Sequence, residues 1–292
     1  MVRLEMQTKN ILVLGAGGMA GHVISTYLRE AGHSVTTLSA NHKLDEDTQL
    51  IDVTNKLTFE AFLDNKNYDL IVNAIGLLVK NSQDRQDLAS YINGYLPHQL
   101  EQKYKDTNTK IVHLSTDCVF SGLNGPYKEN SLQDGELFYD RSKALGEIIN
   151  NKDLTFRMSI IGPDIQPTGI GLFNWFYSQE GTISGYTKAM WNGVTTIELA
   201  KAINRSIETE LTGLYHLVPN TNISKFELLK LFRESFNKDN VEITPDDREA
   251  PDKTLINTRT DFEYTVPSYP VMVTEMKQWV DTHPELYKHY EK

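Results

Sequence analysis

Cysteine is almost absent from this sequence, which has a single thiol, Cys118, in 292 residues. One cysteine cannot form an intramolecular disulfide, and chains that fold in oxidising compartments usually contain several. Residues 1–10 are too polar to form the apolar part of a signal peptide. No apolar run approaches the roughly 20 residues that a membrane-spanning helix needs. From these absences we expect a cytoplasmic protein.

An excess of positive charge is also absent, because 29 Lys and Arg residues face 39 Asp and Glu residues, for a net charge of -10. Binding to nucleic acid or to an anionic membrane surface requires a basic footprint. We therefore exclude both as main partners and expect any bound phosphate to be held locally. The sequence also lacks internal repeats and low-complexity tracts, and we predict no metal site.

The most informative feature near the start is a glycine-rich segment after a short apolar run. Residues 10–14 predict a buried strand, and a helical pattern then extends to Glu30. Glycines at 15, 18 and 21 have the spacing of a phosphate-binding turn between a strand and a helix. The sequence thus predicts a dinucleotide site with contacts from Gly15, Gly17, Gly18, Met19 and Gly21.

The end of the next predicted strand, residues 34–38, bears on which dinucleotide is bound. Many NAD-binding proteins place a carboxylate there to hold the ribose 2′-hydroxyl. This chain has no carboxylate there, but it has a cation, Lys43. That combination tolerates a 2′-phosphate, and we predict NADPH (NADP) in preference to NADH. The predicted contacts here are Ser39, His42 and Lys43, with Asp52 and Val53 beside the adenine.

Further apolar runs end in small or polar residues at two places. Residues 70–72 are followed by Asn73, Ala74, Ile75 and Gly76, and residues 110–114 are followed by Ser115, Thr116 and Asp117. Ligands of open α/β sheets bind at the carboxyl ends of the strands. We therefore assign Asn73, Ala74, Ile75 and Gly76 to the cofactor site. His113, inside an apolar run, is interpreted as a packed core residue.

Strands and helices alternate through most of the chain, with a predicted helix from about residue 84 to 104 in which Pro97 marks a kink or break near Leu96. This alternation predicts an α/β fold with a doubly wound parallel sheet, the Rossmann arrangement, over residues 1–158. Residues 159–292 have more glycine, proline and short strands. We predict that they form mainly a smaller substrate-binding lobe, and we leave open that some segments return to the Rossmann sheet.

Tyr139 and Lys143 are four residues apart in a segment rich in helix formers, so they project from one helix face. A nearby ammonium group favours the phenolate and lowers the pKa of a tyrosine. Such a tyrosine can act as a general acid or base. The pair alone occurs by chance in many chains, and its meaning depends on the elements around it.

Three segments together resemble the extended short-chain dehydrogenase/reductase family, and within it the dTDP-4-dehydrorhamnose reductase group. They are residues 115–122, 139–147 and 156–162. The resemblance implies an enzyme that uses NADPH to reduce the 4-keto group of a nucleotide-linked 6-deoxyhexose for surface polysaccharide. It leaves a homodimer open.

The resemblance also implies residue roles. Thr116 binds the substrate carbonyl, Tyr139 donates the proton, and Lys143 binds the nicotinamide ribose and lowers the pKa of Tyr139. The implied contacts with the nucleotide sugar are Asp117, Val119, Phe120, Arg157, Trp191 and Arg248. The segment 248–254 departs from the Arg-Pro-containing pattern of the reductases, which puts the identity of the sugar in doubt.

Three related activities are alternatives. Sugar-nucleotide dehydratases carry a Glu after Thr-Asp, where this chain has Cys118, a poor general acid, so we disfavour them. Epimerases of this scaffold usually hold NAD with an acidic ribose clamp, which this chain lacks, yet they stay open. A third alternative is a regulatory subunit that binds NADP and does not turn over a sugar.

Overall fold

A computed structural model describes residues 7–290 of the chain. Its strands are β1 Asn10–Leu14, β2 Ser34–Ser39, β3 Gln49–Leu50, β4 Leu70–Asn73, β5 Lys110–Thr116, β6 Leu154–Met158, β7 Ile160–Ile161, β8 Gly181–Tyr186, β9 Met190–Trp191, β10 Val194–Thr195, β11 Gly213–His216, β12 Ile223–Ser224 and β13 Val241–Asp246. Its helices are α1 Met19–Glu30, α2 Lys56–Asp64, α3 Val79–Asp84, α4 Gln86–Ala89, α5 Leu96–Tyr104, α6 Phe138–Leu145, α7 Leu172–Tyr177, α8 Thr196–Ile207, α9 Lys225–Ser235 and α10 Tyr269–Thr282. A π-helical turn, Ser90–Tyr95, joins α4 to α5.

Seven parallel strands form the central sheet in the order β11-β6-β5-β4-β1-β2-β3. The chain runs outward from β1 in two directions, so the order reverses between β1 and β4. Such a switch point opens a crevice at the carboxyl ends of the strands. The predicted Rossmann-like fold is confirmed, and the crevice lies where the glycine-rich turn follows β1.

Both faces of the sheet are covered, which explains why its strands read as continuous apolar runs. Along β1, Ile11 and Val13 enter one hydrophobic core, and Leu12 and Leu14 enter the other. The first core also contains side chains of α1, α8 and α10, and the second contains side chains of α2 and α5. Alternate residues of one strand therefore anchor both helical layers.

Strand β11 lies in the segment predicted to form mainly the smaller lobe, but it pairs with β6 at the edge of the main sheet. It is a returning segment of the kind left open above. Strand β3, at the other edge of the sheet, is only two residues long. The helix does not break near Leu96: the backbone stays helical there, and the geometry changes from the π-helical turn Ser90–Tyr95 to α5, with Pro97 in the first turn of α5.

The smaller lobe is built around the parallel pair β8 and β13, with α9 packed against both strands. Two further two-stranded pairs, β7 with β10 and β9 with β12, connect it to the main sheet region. Its core is aromatic: Phe173 packs against Phe232 and Phe236. Within residues 7–290, no helix has the length and apolar character required to cross a membrane.

His22 on α1 links the last part of the chain to the first helix of the sheet region. Trp279 Nε1 donates to the Tyr287 hydroxyl at 2.8 Å, so that hydroxyl is free to donate to His22 Nε2 at 2.7 Å. The other ring nitrogen, Nδ1, then carries the proton and donates to the Gly18 carbonyl at 2.9 Å. His22 is fully buried, and burial lowers its pKa to about 4. The imidazole is therefore neutral in the folded protein at neutral pH.

We expect the free energy of unfolding to fall as the pH drops from about 6.5 towards 4, in part because of His22. In this window the unfolded chain, with a histidine pKa near ~6.5, binds a proton that the folded protein does not. The single group contributes at most about 3 kcal/mol across that window. In His22→Gln the unfolding free energy, measured by denaturant titration at each pH, should depend less steeply on pH.

The matched control is His42→Gln, at an exposed histidine. Its pH dependence of stability should equal that of the unmodified protein. Equal slopes in the His22 variant and the unmodified protein would show that His22 is not held neutral.

Candidate active site

The turn between β1 and α1 can be formed only by glycine at its critical positions. Gly15 has φ +87°, in the left-handed region, and a Cβ on Gly21 would lie 2.0 Å from the Gly15 carbonyl oxygen. The N–H groups of Gly15 and Ala16 both donate to the Leu38 carbonyl, at 2.8 and 3.0 Å, which fixes the turn on β2. Helix α1 therefore begins directly at the carboxyl edge of the sheet.

The start of α1 is suited to an anion. Gly18 occupies the N-cap position without a side-chain cap, and the first turn contains no acidic residue. The first N–H groups of a helix lack intrahelical partners and carry partial positive charge. A diphosphate is the ligand that such a turn and helix start accommodate.

The other predicted cofactor residues converge on this turn. A Cβ on Gly17 would lie 2.6 Å from Ser39 Oγ and 2.8 Å from the His42 carbonyl, and a Cβ on Gly15 would lie 3.0 Å from the Ala74 carbonyl. Ile75 is equally close to Gly15. The structure thus brings together the glycine turn, the end of β2 and the end of β4.

Some predicted cofactor contacts are engaged within the protein. Lys43 is exposed and donates to the Glu46 carbonyl at 3.0 Å. Asp52 accepts hydrogen bonds from both the backbone and the hydroxyl of Thr54. Val53 is buried, and its carbonyl accepts from Tyr91. Their contacts with a dinucleotide stay predictions.

Thr116 and Tyr139 meet at the carboxyl edge from two different elements. Thr116 ends β5 and donates to Asp117 Oδ1 at 3.2 Å, while Tyr139 lies in the first turn of α6. Burial raises the pKa of Tyr139, the neighbouring Cys118 adds to this, and hydrogen bonding by the Thr116 side chain acts in the opposite direction. The phenol is therefore fully protonated at neutral pH and close to the Thr116 hydroxyl.

Lys143 lies one turn further along α6 and is buried. Its Nζ donates to the Leu114 carbonyl of β5 at 2.7 Å, and burial lowers its pKa to about 8. Burial nevertheless raises the pKa of Tyr139 overall, and the lowering by Lys143 stays a prediction. Desolvation of the phenol dominates, and the acidic groups beside it, Cys118 and Asp117, also disfavour a phenolate.

Arg157 is not available to bind a substrate phosphate. Its side chain is 1% exposed, and its Nε and Nη2 atoms donate to the two carboxylate oxygens of Glu147 at 2.8 and 2.6 Å. A guanidinium that is buried and fully paired cannot clamp a diphosphate. The assignment of Arg157 to the substrate site is therefore wrong.

Three other predicted substrate contacts also lie in cores. Val119 and Phe120 are buried in a small apolar cluster, where Phe120 stacks on Tyr127 with ring centroids 4.1 Å apart. Trp191 is buried and packs against Tyr269. These side chains hold the loop and the smaller lobe in place, and their contacts with a nucleotide sugar stay predictions.

The structure does not decide whether two other residues, Asp117 and Arg248, contact the substrate. Asp117 follows Thr116 in the site, and burial raises the pKa of its carboxyl. Arg248 lies at the surface, where Asp246 pairs with it and the Tyr186 ring lies 5.1 Å from its guanidinium carbon. Both assignments stay predictions.

Lys253 is a residue of the site that the sequence interpretation missed. Its segment is held against the loop after β5, because Asp252 N donates to the Gly122 carbonyl at 3.0 Å and Tyr127 N donates to the Thr254 carbonyl at 2.8 Å. The Lys253 charge acts to lower the pKa of Asp117, Cys118 and Asp140. The only available signal was a cation in a segment that departs from the family pattern.

Asn93 was also missed, although it is central to the packing of α6. Its side-chain nitrogen donates to the Leu77 carbonyl at 3.0 Å and to Ser142 Oγ at 3.1 Å, and its oxygen accepts from Leu77 N at 2.8 Å. A Cβ on Gly146 would lie 1.9 Å from the Asn93 carbonyl oxygen. Asn93 thereby joins the segment after β4 to the helix that carries Tyr139.

The parallel sheet, the glycine turn and the Thr116, Tyr139 and Lys143 group define a Rossmann-type protein built like the short-chain dehydrogenases/reductases. A family model described as RmlD substrate binding domain matches residues 9–161, which include strands β1 to β6. The chain belongs to this family, that of the dTDP-4-dehydrorhamnose reductases. The resemblance inferred from the three sequence segments is confirmed.

Individual relatives agree with this membership. The chain is 31% identical over 157 residues to the protein named Probable low-salt glycan biosynthesis reductase Agl14 of Haloferax volcanii, covering 51% of this chain and 52% of that protein. It is 26% identical to a dTDP-4-dehydrorhamnose reductase of Mycolicibacterium smegmatis, covering 50% of this chain and 42% of that one. The matches thus span about half the length of these curated relatives.

Structural similarity extends over almost the entire chain. A dTDP-4-dehydrorhamnose reductase from Bacillus anthracis, in complex with NADP, superimposes with a TM-score of 0.78 at 20% identity. The alignment covers 92% of this chain and 99% of that structure. The smaller lobe, beyond the part that the family model matches, therefore shares the same fold.

Proposed function

We propose that this protein is an NADPH-dependent reductase of the 4-keto group of a nucleotide-linked 6-deoxyhexose. The observation that carries the proposal is the close approach of Thr116 and Tyr139 at the carboxyl edge of the sheet, beside a turn that accommodates a diphosphate. The family membership supports the same class of reaction. Relatives named as dTDP-4-dehydrorhamnose and dTDP-4-keto-6-deoxy-D-glucose reductases support the class of substrate.

The residues at the sheet edge fit a dinucleotide with a 2′-phosphate. The uncapped start of α1 would hold the diphosphate, and the space that a Cβ on Gly17 would fill adjoins Ser39 and His42, where the adenosine ribose would lie. Lys43 adds a positive charge nearby. Lys143, one helical turn after Tyr139, would bind the nicotinamide ribose. The bound cofactor would supply the hydride.

The chain itself would orient the ketone and supply the proton. The Thr116 hydroxyl would turn from Asp117 to donate its one proton to the substrate carbonyl oxygen and hold it against Tyr139. The Tyr139 phenol is protonated at neutral pH and would act as the acid when negative charge develops on that oxygen, which makes the oxygen a stronger base than the phenolate. The ammonium of Lys143, one helical turn away, would oppose the charge left on the phenolate.

The test is a panel of dTDP- and UDP-linked 4-keto-6-deoxy sugars. Oxidation of NADPH is monitored through the fall in its absorbance. Turnover with at least one member, giving the 4-hydroxy sugar, is the expected result. Inversion at a sugar carbon without net oxidation of NADPH would identify an epimerase instead. Tight NADP binding without turnover of any member would identify a regulatory subunit.

Replacing Ser39 with aspartate is expected to change the cofactor preference. Ser39 ends β2 next to Gly17, so a carboxylate there would repel a 2′-phosphate and accept from a ribose 2′-hydroxyl. The Kd for NADPH, measured by fluorescence titration, should rise by about tenfold or more, while NADH binding improves. Ser39→Asn, which has nearly the same shape without the charge, is the matched control. Equal changes in both variants would place the 2′-phosphate elsewhere.

A further inference from the structure

Glu147 lies just beyond the end of α6 and is surrounded by hydrogen-bond donors. Arg157 of β6 forms the two bonds described above, Ser115 Oγ of β5 donates to Oε1, and Gln133 Nε2 donates to Oε2. Both Glu147 and Arg157 have side chains only 1% exposed. Each carboxylate oxygen thus accepts from two donors, and the pair is fully satisfied inside the protein.

The network continues from Arg157 to the last part of the chain. Arg157 Nη1 lies 2.9 Å from His216 Nε2, and because arginine can only donate, that ring nitrogen is the acceptor. The proton of His216 is then on Nδ1, which donates to the Ile256 carbonyl at 2.9 Å. The neutral state agrees with the pKa of His216, which burial lowers to about 4.

Thr116 and Tyr139 are separated along the chain by a long loop, so noncovalent contacts must set the distance between them. Apart from the contact between Thr116 and Tyr139 itself, two side-chain hydrogen bonds within residues 7–290 join the end of β5 to the segment 138–147. One runs from Lys143 to the Leu114 carbonyl, and the other runs from Ser115 to Glu147. The second involves the residue immediately before Thr116 and none of the three residues assigned to catalysis.

We propose that Glu147, locked by Arg157, is a positioning residue that holds Ser115 and thereby sets Thr116 at its working distance from Tyr139. The inference rests on the proposed reductase function for its kinetic consequence. The contacts predict an effect on the chemical step rather than on ligand binding, because neither Glu147 nor Arg157 is open to a ligand.

A purely stabilising role explains this arrangement poorly. Removing two charges from water is costly, and apolar residues of similar volume often give equal or greater stability than a buried ion pair. What an apolar pair cannot supply is a directed carboxylate that fixes four donors from three other segments, since hydrogen bonds have defined lengths and angles. The contribution of the pair to the active site is therefore the fixed positions of the groups bonded to Glu147, rather than a gain in stability.

The kinetic test compares Ser115→Ala with Ser206→Ala. Ser206 is a matched buried serine on α8 whose hydroxyl donates to the Ile203 carbonyl, far along the chain from the site. In Ser115→Ala, kcat should fall about tenfold, because small misplacements of reacting groups are costly, while the KM values for NADPH and the sugar nucleotide change less than twofold. In Ser206→Ala neither kcat nor KM should change. Glu147→Gln should lower kcat further.

A second measurement is independent of the substrate. Cys118, the single thiol, follows Thr116 by two residues in the sequence, and its N–H donates to Thr116 Oγ. Burial raises the pKa of the thiol to about 12. Alkylation by iodoacetamide is therefore slow in the unmodified protein. If the Ser115 contact holds this segment, Ser115→Ala should increase the alkylation rate severalfold, and Ser206→Ala should leave it unchanged. Circular dichroism and thermal melting establish that each variant is folded.

The outcomes separate the inference from the proposed function. Unchanged kcat in folded Ser115→Ala overturns the positioning role, even if alkylation accelerates. A tenfold fall in kcat with unchanged alkylation also overturns it, because Ser115 would then act on the substrate directly. If the unmodified protein turns over no sugar nucleotide, the proposed function fails. In that case the alkylation rates alone decide whether the pair holds this segment.

Discussion

Tyr139→Phe is expected to lower kcat by about 10²- to 10⁴-fold, the usual contribution of a positioned general acid. The substitution removes only the hydroxyl, and the ring remains packed in the first turn of α6. The Kd for NADPH and the melting temperature should stay close to those of the unmodified protein. Steady-state kinetics, cofactor titration and thermal melting together measure the three quantities.

The matched control is Tyr95→Phe, at a half-exposed tyrosine on the π-helical turn. It should leave kcat within twofold of the unmodified value. If Tyr139→Phe retains activity within about tenfold of the unmodified protein, the proton comes from another group, and the role assigned to Tyr139 is wrong.

Gly21→Ala is expected to abolish cofactor binding and to destabilise the fold. The new Cβ would lie 2.0 Å from the Gly15 carbonyl oxygen. The oxygen is a backbone atom and the Cβ is bonded directly to the backbone, so neither can move without opening the turn. Forcing extra atoms into a packed site costs about 1–3 kcal/mol or more. Denaturant titration and NADPH fluorescence titration should both show the loss.

Gly18→Ala separates the two effects. A Cβ there meets nothing nearer than the Gly15 carbonyl oxygen at 3.4 Å, an ordinary contact, so stability should be kept. The methyl group would nevertheless lie where the backbone approaches a diphosphate, and the Kd for NADPH should rise. Equal stability of the Gly21 and Gly18 variants would show that the turn is less tightly packed than described.

The parallel sheet could be predicted because its strands are buried on both faces and are separated by helices, so local sequence and global fold agree. Strand β11 could not be assigned to it, because a four-residue strand carries no information about its partner. The missing N–H of proline predicted an irregularity of the helix next to Pro97. That it takes the form of a π-helical turn was not predictable from the local sequence.

The residues of the site likewise fall into those that the local sequence predicts and those that it does not. Thr116, Tyr139 and the glycine turn follow from local patterns at strand and helix ends, which constrain backbone position strongly. Arg157 illustrates the limit: a charge pattern does not show whether an arginine faces a ligand or a buried carboxylate such as Glu147. Its side chain faces Glu147, and which partner an arginine of β6 meets depends on the whole packed structure.

Strand β11 has a consequence for how this protein is made and how it can be recombined. During synthesis, β6 is complete at Met158, but its outer neighbour is not made until residues 213–216 have been translated. Until then β6 is an edge strand, and its unpaired backbone N–H and C=O groups can pair with strands of other chains. The guanidinium of Arg157 also lacks its partner His216 until that residue has been translated. A chimera that exchanged the smaller lobe as one cassette from residue 159 onward would replace this edge strand, so productive crossovers should spare residues 213–216.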